Sequence, residues 1–311
     1  MYVSVTDVPS ESENFMHSAG TRDPQNGQYA SGVRSNMCMQ RSCIRDKTII
    51  RKGRRREMTL YSNTRLNQFD NCRYAYDLKY NRGVETPFET IEAFMGSRVH
   101  ETLEKLYRDL EDDKLDTVPC LLEFYRRRWD ECYHEYMIYN RDMSEDDYRE
   151  MGADCIVAYY DRMKPFDQYH IAGIETDEVL DLPDGNTYSV RIDRLEFRDR
   201  VFRVCDYKTS GRMKSQWDAD SDRQLAMYAL WVHRKYGPGI RVKLVWHMLR
   251  FDQDVESDRN SFELQDQEQK VVDKIAEIEH CHEWPTNPSR LCDWCCSRHL
   301  CPEFRDESPE E

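Results

Sequence analysis

The sequence predicts an α/β fold, because the spacing of its apolar residues alternates between the helical and the strand pattern along the chain. Helical spacing, with apolar residues three and four apart, characterises the segments 96–110, 120–140 and 147–163. Alternation typical of strands follows in 170–182, 187–197 and 200–207, with a turn signal at Pro183-Asp184-Gly185-Asn186. The remaining segments, 216–235, 241–250 and 262–280, predict a helix, a strand and a helix in turn.

Composition limits the class of protein. The chain has 311 residues, a formal net charge of −14, 39% hydrophobic residues and a mean hydropathy of −0.89. Such an acidic chain is not expected to coat nucleic acid nonspecifically, and it has no apolar run of the length that spans a membrane. Twelve cysteines without a secretory leader favour metal ligation in a reducing, cytoplasmic setting over a disulfide framework.

Three parts of the chain differ in composition. Residues 1–57 lack sustained periodicity and are predicted to be disordered or loosely ordered. Their basic run, 45–56, is interpreted either as an arm that contacts phosphates or as a solvated segment. Residues 58–303 are predicted to form the folded domain, and residues 304–311 an acidic tail.

Two acidic residues and a lysine stand at the ends of neighbouring predicted strands. Asp193 ends one strand and Asp206 the next, so a hairpin would bring both carboxylates to one cation. Oxygen ligands of this kind suit Mg²⁺ or Mn²⁺, and the Tyr207 carbonyl is a further candidate ligand. Lys208, two residues after Asp206, leaves the same strand face and could orient a water or stabilise charge on a phosphate. The alternative is an exposed ion pair between Asp206 and Lys208.

Together, Ile192-Asp193-Arg194 and the later Asp206-Tyr207-Lys208-Thr209 resemble the motifs of the PD-(D/E)XK nuclease superfamily. The resemblance is to the branch of RecB-type, AddB-type and CRISPR-associated Cas exonucleases and covers roughly residues 59–303. It implies a restriction-endonuclease-like core, a mixed central sheet flanked by helices, here with a helical insertion. It also implies metal-dependent cleavage of DNA, with single-stranded ends as substrate, in repair, recombination or CRISPR adaptation.

The same resemblance extends to three more positions. The segment Gly96-Ser97-Arg98-Val99-His100 resembles the first motif of the branch, in which the histidine binds the metal. Gln224 and Tyr228, four residues apart, resemble the motif that contacts the lysine and the DNA. Glu175, on the strand before Asp193, is a further candidate for the acidic group.

Four cysteines predict a second metal site. Cys292, Cys295 and Cys301 are clustered near the C-terminus, and Cys72 is the candidate fourth ligand. Four thiolates fit either a structural Zn²⁺ or a [4Fe–4S] cluster, and the resemblance favours the cluster. The neighbouring Cys296 is an extra thiol. The cysteines without spacing partners are predicted to be simple thiols: Cys38, Cys43, Cys120, Cys132, Cys155, Cys205 and Cys281.

Other functions fit parts of the pattern. A DNA-end binding module without cleavage, or a redox-sensing iron–sulfur protein, would keep the fold and the cysteines. An RNA-directed nuclease would differ only in substrate. The chain lacks the Gly-x4-Gly-Lys-Ser/Thr motif of a helicase, so any unwinding is expected to come from a partner helicase, recombination or adaptation protein.

Overall fold

The computed structural model describes residues 59–139 and 142–307. The predicted disordered segment 1–57, with its basic run, lies outside these residues. The helices are α1 (Asn63–Asn71), α2 (Arg73–Tyr76, extended by a π-helical turn at Asp77–Asn81), α3 (Ile91–Glu111), α4 (Val118–Cys132), α5 (Glu145–Met163), α6 (Gln216–Asp220), α7 (Arg223–Tyr236) and α8 (Ser261–Glu279). In the part of the chain described, no helix is long and apolar enough to cross a membrane.

A five-stranded mixed sheet forms the centre of the domain. The strands are β1 (Leu60–Tyr61), β2 (Glu89–Thr90), β3 (Met137–Ile138), β4 (His170–Ile174), β5 (Glu178–Asp181), β6 (Thr187–Val190), β7 (Arg194–Arg198), β8 (Val201–Lys208), β9 (Arg241–Met248) and β10 (Gln253–Ser257). The central order is β10-β9-β8-β7-β4, in which β8 and β9 are parallel and the other pairs antiparallel. A smaller sheet has the order β1-β6-β5, and β2 pairs with β3.

Helices cover both faces of the central sheet. Alternate side chains of a strand point to opposite faces, so Phe202 and Val204 pack with the α1, α7 and α8 side, whereas Tyr207 packs with the α3, α4 and α5 side. Each face therefore has its own apolar core. The prediction of a mixed sheet flanked by helices is confirmed, and α4 with α5 forms the helical insertion.

Side-chain caps fix the starts of several helices. Ser144 and Asp147 form a capping box at α5, and Asn260 and Glu263 form one at α8. The Asp222 side chain accepts a hydrogen bond from the Leu225 amide and caps the start of α7. This cap separates α7 from α6. The single helix predicted over 216–235 is therefore two helices.

The strand predictions need two corrections. The segment 170–182 is split between β4 and β5, which belong to different sheets, because Glu175 adopts a left-handed φ of 45°. The segment 187–197 is likewise split, so Asp193 does not end a strand but lies just before β7. The edge strand β10 was not predicted, since its sequence is mostly polar.

Candidate active site

The two predicted carboxylates lie side by side at one end of the β7–β8 hairpin. Arg194 pairs with Cys205 in this hairpin, which places Asp193 next to Asp206 and Tyr207. The main-chain amide of Tyr207 donates to Asp193 Oδ2 at 2.6 Å. Both carboxylates are nearly inaccessible, with 8% of Asp193 and 3% of Asp206 exposed. The hairpin thus holds two buried carboxylates together, as the motif spacing predicts.

Helix α3 brings His100 to the same point. The helix can approach the end of β8 because Gly96 has no side chain: a Cβ there would lie 2.9 Å from Thr209 Oγ1. His100 Nε2 lies 3.0 Å from the Tyr207 carbonyl oxygen, and Nδ1 lies 3.5 Å from Asp193 Oδ1. Burial lowers the pKa of His100, but the charge and hydrogen bond of Asp193 outweigh it and raise that pKa to about 9.

Glu175 joins this group through the turn that ends β4. Its amide donates to the Asp193 carbonyl at 2.9 Å, and the Thr176 amide donates to the Ile192 carbonyl at 3.0 Å. One ligand atom each from His100, Glu175 and Asp193 lies within 4.8 Å of the other two. Burial, followed by the charge of Asp193, raises the pKa of Glu175 to about 7. The sequence offered Glu175 only as a further candidate, because nothing in its spacing shows the turn that directs it here.

Asp206 faces Lys208 rather than this group of three. Lys208 Nζ pairs with Asp206 Oδ2, although that oxygen has no hydrogen bond of good geometry among the described residues. Burial raises the pKa of Asp206, the charge of Lys208 lowers it, and the charge of Asp193 raises it. The resulting pKa is about 6. Lys208 is half-buried and lies 5.9 Å from the centre of the Trp246 ring. The pair is therefore not the exposed ion pair of the alternative interpretation.

Gln224 and Tyr228 on α7 hold the lysine from the other side. Lys208 Nζ donates to Gln224 Oε1 at 3.3 Å, and Gln224 Nε2 donates to the Tyr228 hydroxyl at 2.7 Å. Tyr228 is only 3% exposed, whereas Gln224 is half-buried. Tyr228 therefore contacts the lysine through Gln224, and Gln224 is the member of this pair nearer to solvent.

Comparison with known proteins identifies the family. The sequence profile of the PD-(D/E)XK nuclease superfamily matches residues 61–302, which is most of the chain. The chain belongs to the PD-(D/E)XK nuclease superfamily. Membership implies a phosphodiester-cleaving hydrolase that uses divalent metal ions and has DNA as its substrate.

Other comparisons add little to this assignment. No curated protein matches this sequence. Among solved structures, this nuclease is similar to the crystal structure of SSO0001, with 14% identity over 51% of this chain and 78% of that chain. The TM-score of this match is 0.29.

In this nuclease, the cysteine-rich C-terminal segment packs against the region around Cys72. The Tyr74 amide donates to the Pro285 carbonyl at 3.1 Å, and the Tyr74 hydroxyl donates to the Leu300 carbonyl at 3.2 Å. Burial raises the pKa of Cys295, and the nearby thiols of Cys296, Cys72 and Cys292 raise it further. The structure therefore places Cys72 near Cys292 and Cys295, two of the three C-terminal cysteines named as candidate ligands.

The remaining cysteines are not all simple thiols. Among the described cysteines, Cys120, Cys155, Cys205 and Cys281 are free, as expected. Cys132 is instead disulfide-bonded, so the prediction was wrong for this residue. Sequence spacing does not indicate a bond for this residue, because disulfide pairing depends on the fold and not on spacing. Cys38 and Cys43 lie outside the described residues.

Proposed function

We propose that this protein is a metal-dependent deoxyribonuclease, specifically an exonuclease that degrades single-stranded DNA ends. The observation that carries the proposal is the convergence of the buried Asp193 and Asp206 with His100 and Lys208 at one end of the β7–β8 hairpin. A buried cluster of carboxylates is costly unless a cation or a hydrogen-bond donor compensates it. Metal-dependent phosphodiester cleavage requires such a cluster.

The ligands proposed for Mg²⁺ or Mn²⁺ are His100, Asp193, Asp206 and the Tyr207 carbonyl, to which the geometry adds Glu175. Carboxylate and carbonyl oxygens suit both of these ions, so the donor set fits. When bound, the ion would supply Lewis acidity and a water of lowered pKa. The proximity of His100, Glu175 and Asp193 supports this assignment.

Lys208 is proposed as the catalytic cation. Its ammonium group would orient the attacking water and stabilise the charge that develops on the phosphate. Asp206 raises the pKa of Lys208 against the opposing effect of burial, so the lysine stays protonated at neutral pH. Gln224, held by Tyr228, would fix the position of Lys208 and contact the DNA strand.

Cys72, Cys292, Cys295 and Cys301 are proposed to hold a structural [4Fe–4S] cluster. Four thiolates fit either a zinc ion or an iron–sulfur cluster, and the resemblance of the cysteine pattern to the iron–sulfur branch of the superfamily favours the cluster. Residues 58–303 would then be one nuclease domain, followed by the acidic tail 304–311.

The proposed setting is DNA repair, recombination or CRISPR adaptation in the cytoplasm, with unwinding by a partner helicase or by a recombination or adaptation protein.

The test of the proposed nuclease activity is cleavage of single- and double-stranded DNA, labelled at either end, by anaerobically purified protein with Mn²⁺ or Mg²⁺. Lys208→Ala is the test variant, and Lys235→Ala, an exposed lysine paired with Glu178, is the control.

We expect progressive shortening of single strands by the wild type and by Lys235→Ala, and a loss of at least about 100-fold with Lys208→Ala. Internal cuts in circular DNA would contradict the exonuclease assignment alone. Binding of DNA ends without any metal-dependent cleavage would overturn the enzyme proposal and favour the DNA-end binding module.

A further inference from the structure

A second polar cluster lies directly behind the candidate metal ligands, on the α3 and α5 side of the sheet. Its centre is Arg194, the residue after Asp193, whose side chain is completely buried at 0% exposure. Burying a guanidinium group without partners is very unfavourable, so its contacts must compensate the lost hydration. The candidate active site uses none of these contacts directly.

Every contact of this guanidinium group is to another buried side chain. Arg194 Nη2 pairs with Glu196 Oε1 at 2.9 Å and lies 3.2 Å from His247 Nε2. Arg194 Nη1 donates to the hydroxyls of Tyr159 and Tyr207. Because a guanidinium group can only donate, His247 Nε2 accepts, and its Nδ1–H donates to Asp254 Oδ1 at 2.7 Å. These contacts fix Arg194 from α5, from its own strand β7 and from the strands β8 and β9.

This cluster meets the candidate metal site through two residues. The first is Tyr207, whose hydroxyl accepts from Arg194 while its own amide donates to Asp193 and its carbonyl contacts His100. The second is Tyr107, which lies two turns after His100 on α3. The Tyr107 hydroxyl is 2.7 Å from that of Tyr159, and the Arg194 guanidinium carbon is 4.1 Å from the centre of the Tyr107 ring. The buried Arg194 side chain thus contacts both Tyr207, on the strand beside Asp193, and Tyr107, on the helix that carries His100.

We infer that Arg194 is a positioning residue, which sets the distance between the Tyr207 main chain and His100 through the hydroxyls of Tyr207, Tyr159 and Tyr107. The inference rests on the proposed metal-dependent function, because it concerns the ligands proposed for that ion. Hydrogen-bond partners that orient metal ligands usually contribute 10–100-fold to metal affinity. Removing the Tyr207 hydroxyl should therefore weaken cation binding while leaving the Tyr207 carbonyl in place.

The test is titration of the full chain with Mn²⁺ in the absence of DNA. The electron paramagnetic resonance signal of the free ion measures how much Mn²⁺ remains unbound at each step. We expect Tyr207→Phe to raise the dissociation constant by roughly 10-fold or more. Tyr188→Phe is the matched control: Tyr188 is equally buried, and its hydroxyl has no hydrogen-bond partner among the described residues. Its Mn²⁺ affinity should equal that of the wild type.

A folded Tyr207→Phe protein with wild-type Mn²⁺ affinity would overturn the inference, and so would equal weakening in the Tyr188→Phe control. Circular dichroism and thermal melting establish folding. If Tyr207→Phe does not fold, Tyr159→Phe tests the same connection from α5, outside the candidate site. A wild type that binds Mn²⁺ but cleaves no DNA would contradict the proposed function alone, whereas a wild type that binds no Mn²⁺ would overturn both.

Discussion

At the scale of single residues, the candidate site couples four ionisable side chains whose protonation states depend on one another. His100, with a pKa raised to about 9, is protonated at pH 7 and offsets the negative charge of Asp193. Glu175 and Asp206 have pKa values raised to about 7 and about 6. A metal ion needs a neutral imidazole and ionised carboxylates. Protons and a divalent cation therefore compete for these side chains.

The first prediction follows from this competition. Between pH 6 and 9, Mn²⁺ affinity should increase by about 10-fold per pH unit for each proton released. The sign is positive because ionisation of the two carboxyl groups and deprotonation of His100 all favour the cation. Titration calorimetry in buffers of different ionisation enthalpy measures the number of protons released. An affinity that is constant across this range would contradict the assigned ligands.

The second prediction concerns Glu175. Glu175→Gln keeps the side-chain shape but removes one charge from the group of three, so Mn²⁺ affinity should fall by roughly 10-fold or more. The control is Glu178→Gln on β5, whose carboxylate pairs with Lys235 at 2.7 Å at the surface. Equal Mn²⁺ affinity of the two variants would exclude Glu175 as a ligand.

Residue motifs could be predicted where neighbours in sequence remain neighbours in space. Asp206, Tyr207 and Lys208 follow one another on β8, so their spacing alone gave their relative directions. Glu175 could be offered only weakly, because its position depends on a left-handed turn and on main-chain hydrogen bonds to residues 192 and 193. The buried contacts of Arg194 come from strands and a helix distant in sequence. No local pattern could show them.

At the scale of secondary-structure elements, the helical insertion supports the helix that carries His100. α4 and α5 pack on α3 around buried aromatic residues, among them Phe94, Tyr125 and Trp129. Close packing of α4 on α5 requires Gly152, because a Cβ there would lie 2.1 Å from the Tyr125 hydroxyl oxygen. The position of His100 thus depends on residues well outside the nuclease motifs.

The third prediction is that Gly152→Ala destabilises the protein by about 1–3 kcal/mol, the usual effect of forcing extra volume into a packed core. The gain in helix propensity from alanine, up to about 1 kcal/mol, is too small to offset this. Gly239→Ala is the control, since a Cβ there meets nothing within 4 Å. Chemical denaturation compares the free energies of unfolding of the two variants. Equal values would show that α4 and α5 move apart to accept the methyl group without loss of stability.

Elements with strong periodicity were the ones that the sequence predicted well. α3 and α8 have clear apolar faces, and capping boxes mark the starts of α5 and α8. Strands that change sheet were harder to predict: β4 and β5 form one continuous alternating segment, and only the backbone at Glu175 divides them. β10 could not be recognised because an edge strand needs few apolar residues.

At the scale of the whole molecule, residues 71–88 and 284–300 contact each other through aromatic stacking and hydrogen bonds. Tyr76 stacks on Trp284 with ring centres 5.7 Å apart, and Thr86 Oγ1 donates to the Cys296 carbonyl at 2.8 Å. Phe88 packs against His299 with ring centres 4.9 Å apart. These contacts join two regions that are distant in sequence, and the proposed cluster would reinforce this junction.

The fourth prediction is that loss of the cluster loosens this junction but does not unfold the central sheet. Cys292→Ser should remove the visible absorption of the cluster and make residues 284–303 sensitive to protease, while far-ultraviolet circular dichroism stays close to wild type. Cys120→Ser, which removes an exposed free thiol, is the control and should change none of these. Complete unfolding of Cys292→Ser would mean that the protein contacts are insufficient.

The junction also has a consequence for biosynthesis. Residues 71–88 leave the ribosome long before residues 284–300, so the partner surface for the early segment is absent during most of translation. The β7–β8 hairpin, with both of its carboxylates, is synthesised in between and can form while the junction is still open. The order of synthesis thus places insertion of the proposed cluster at the end, and a nascent chain would acquire its proposed catalytic side chains before residues 71–88 and 284–300 are joined.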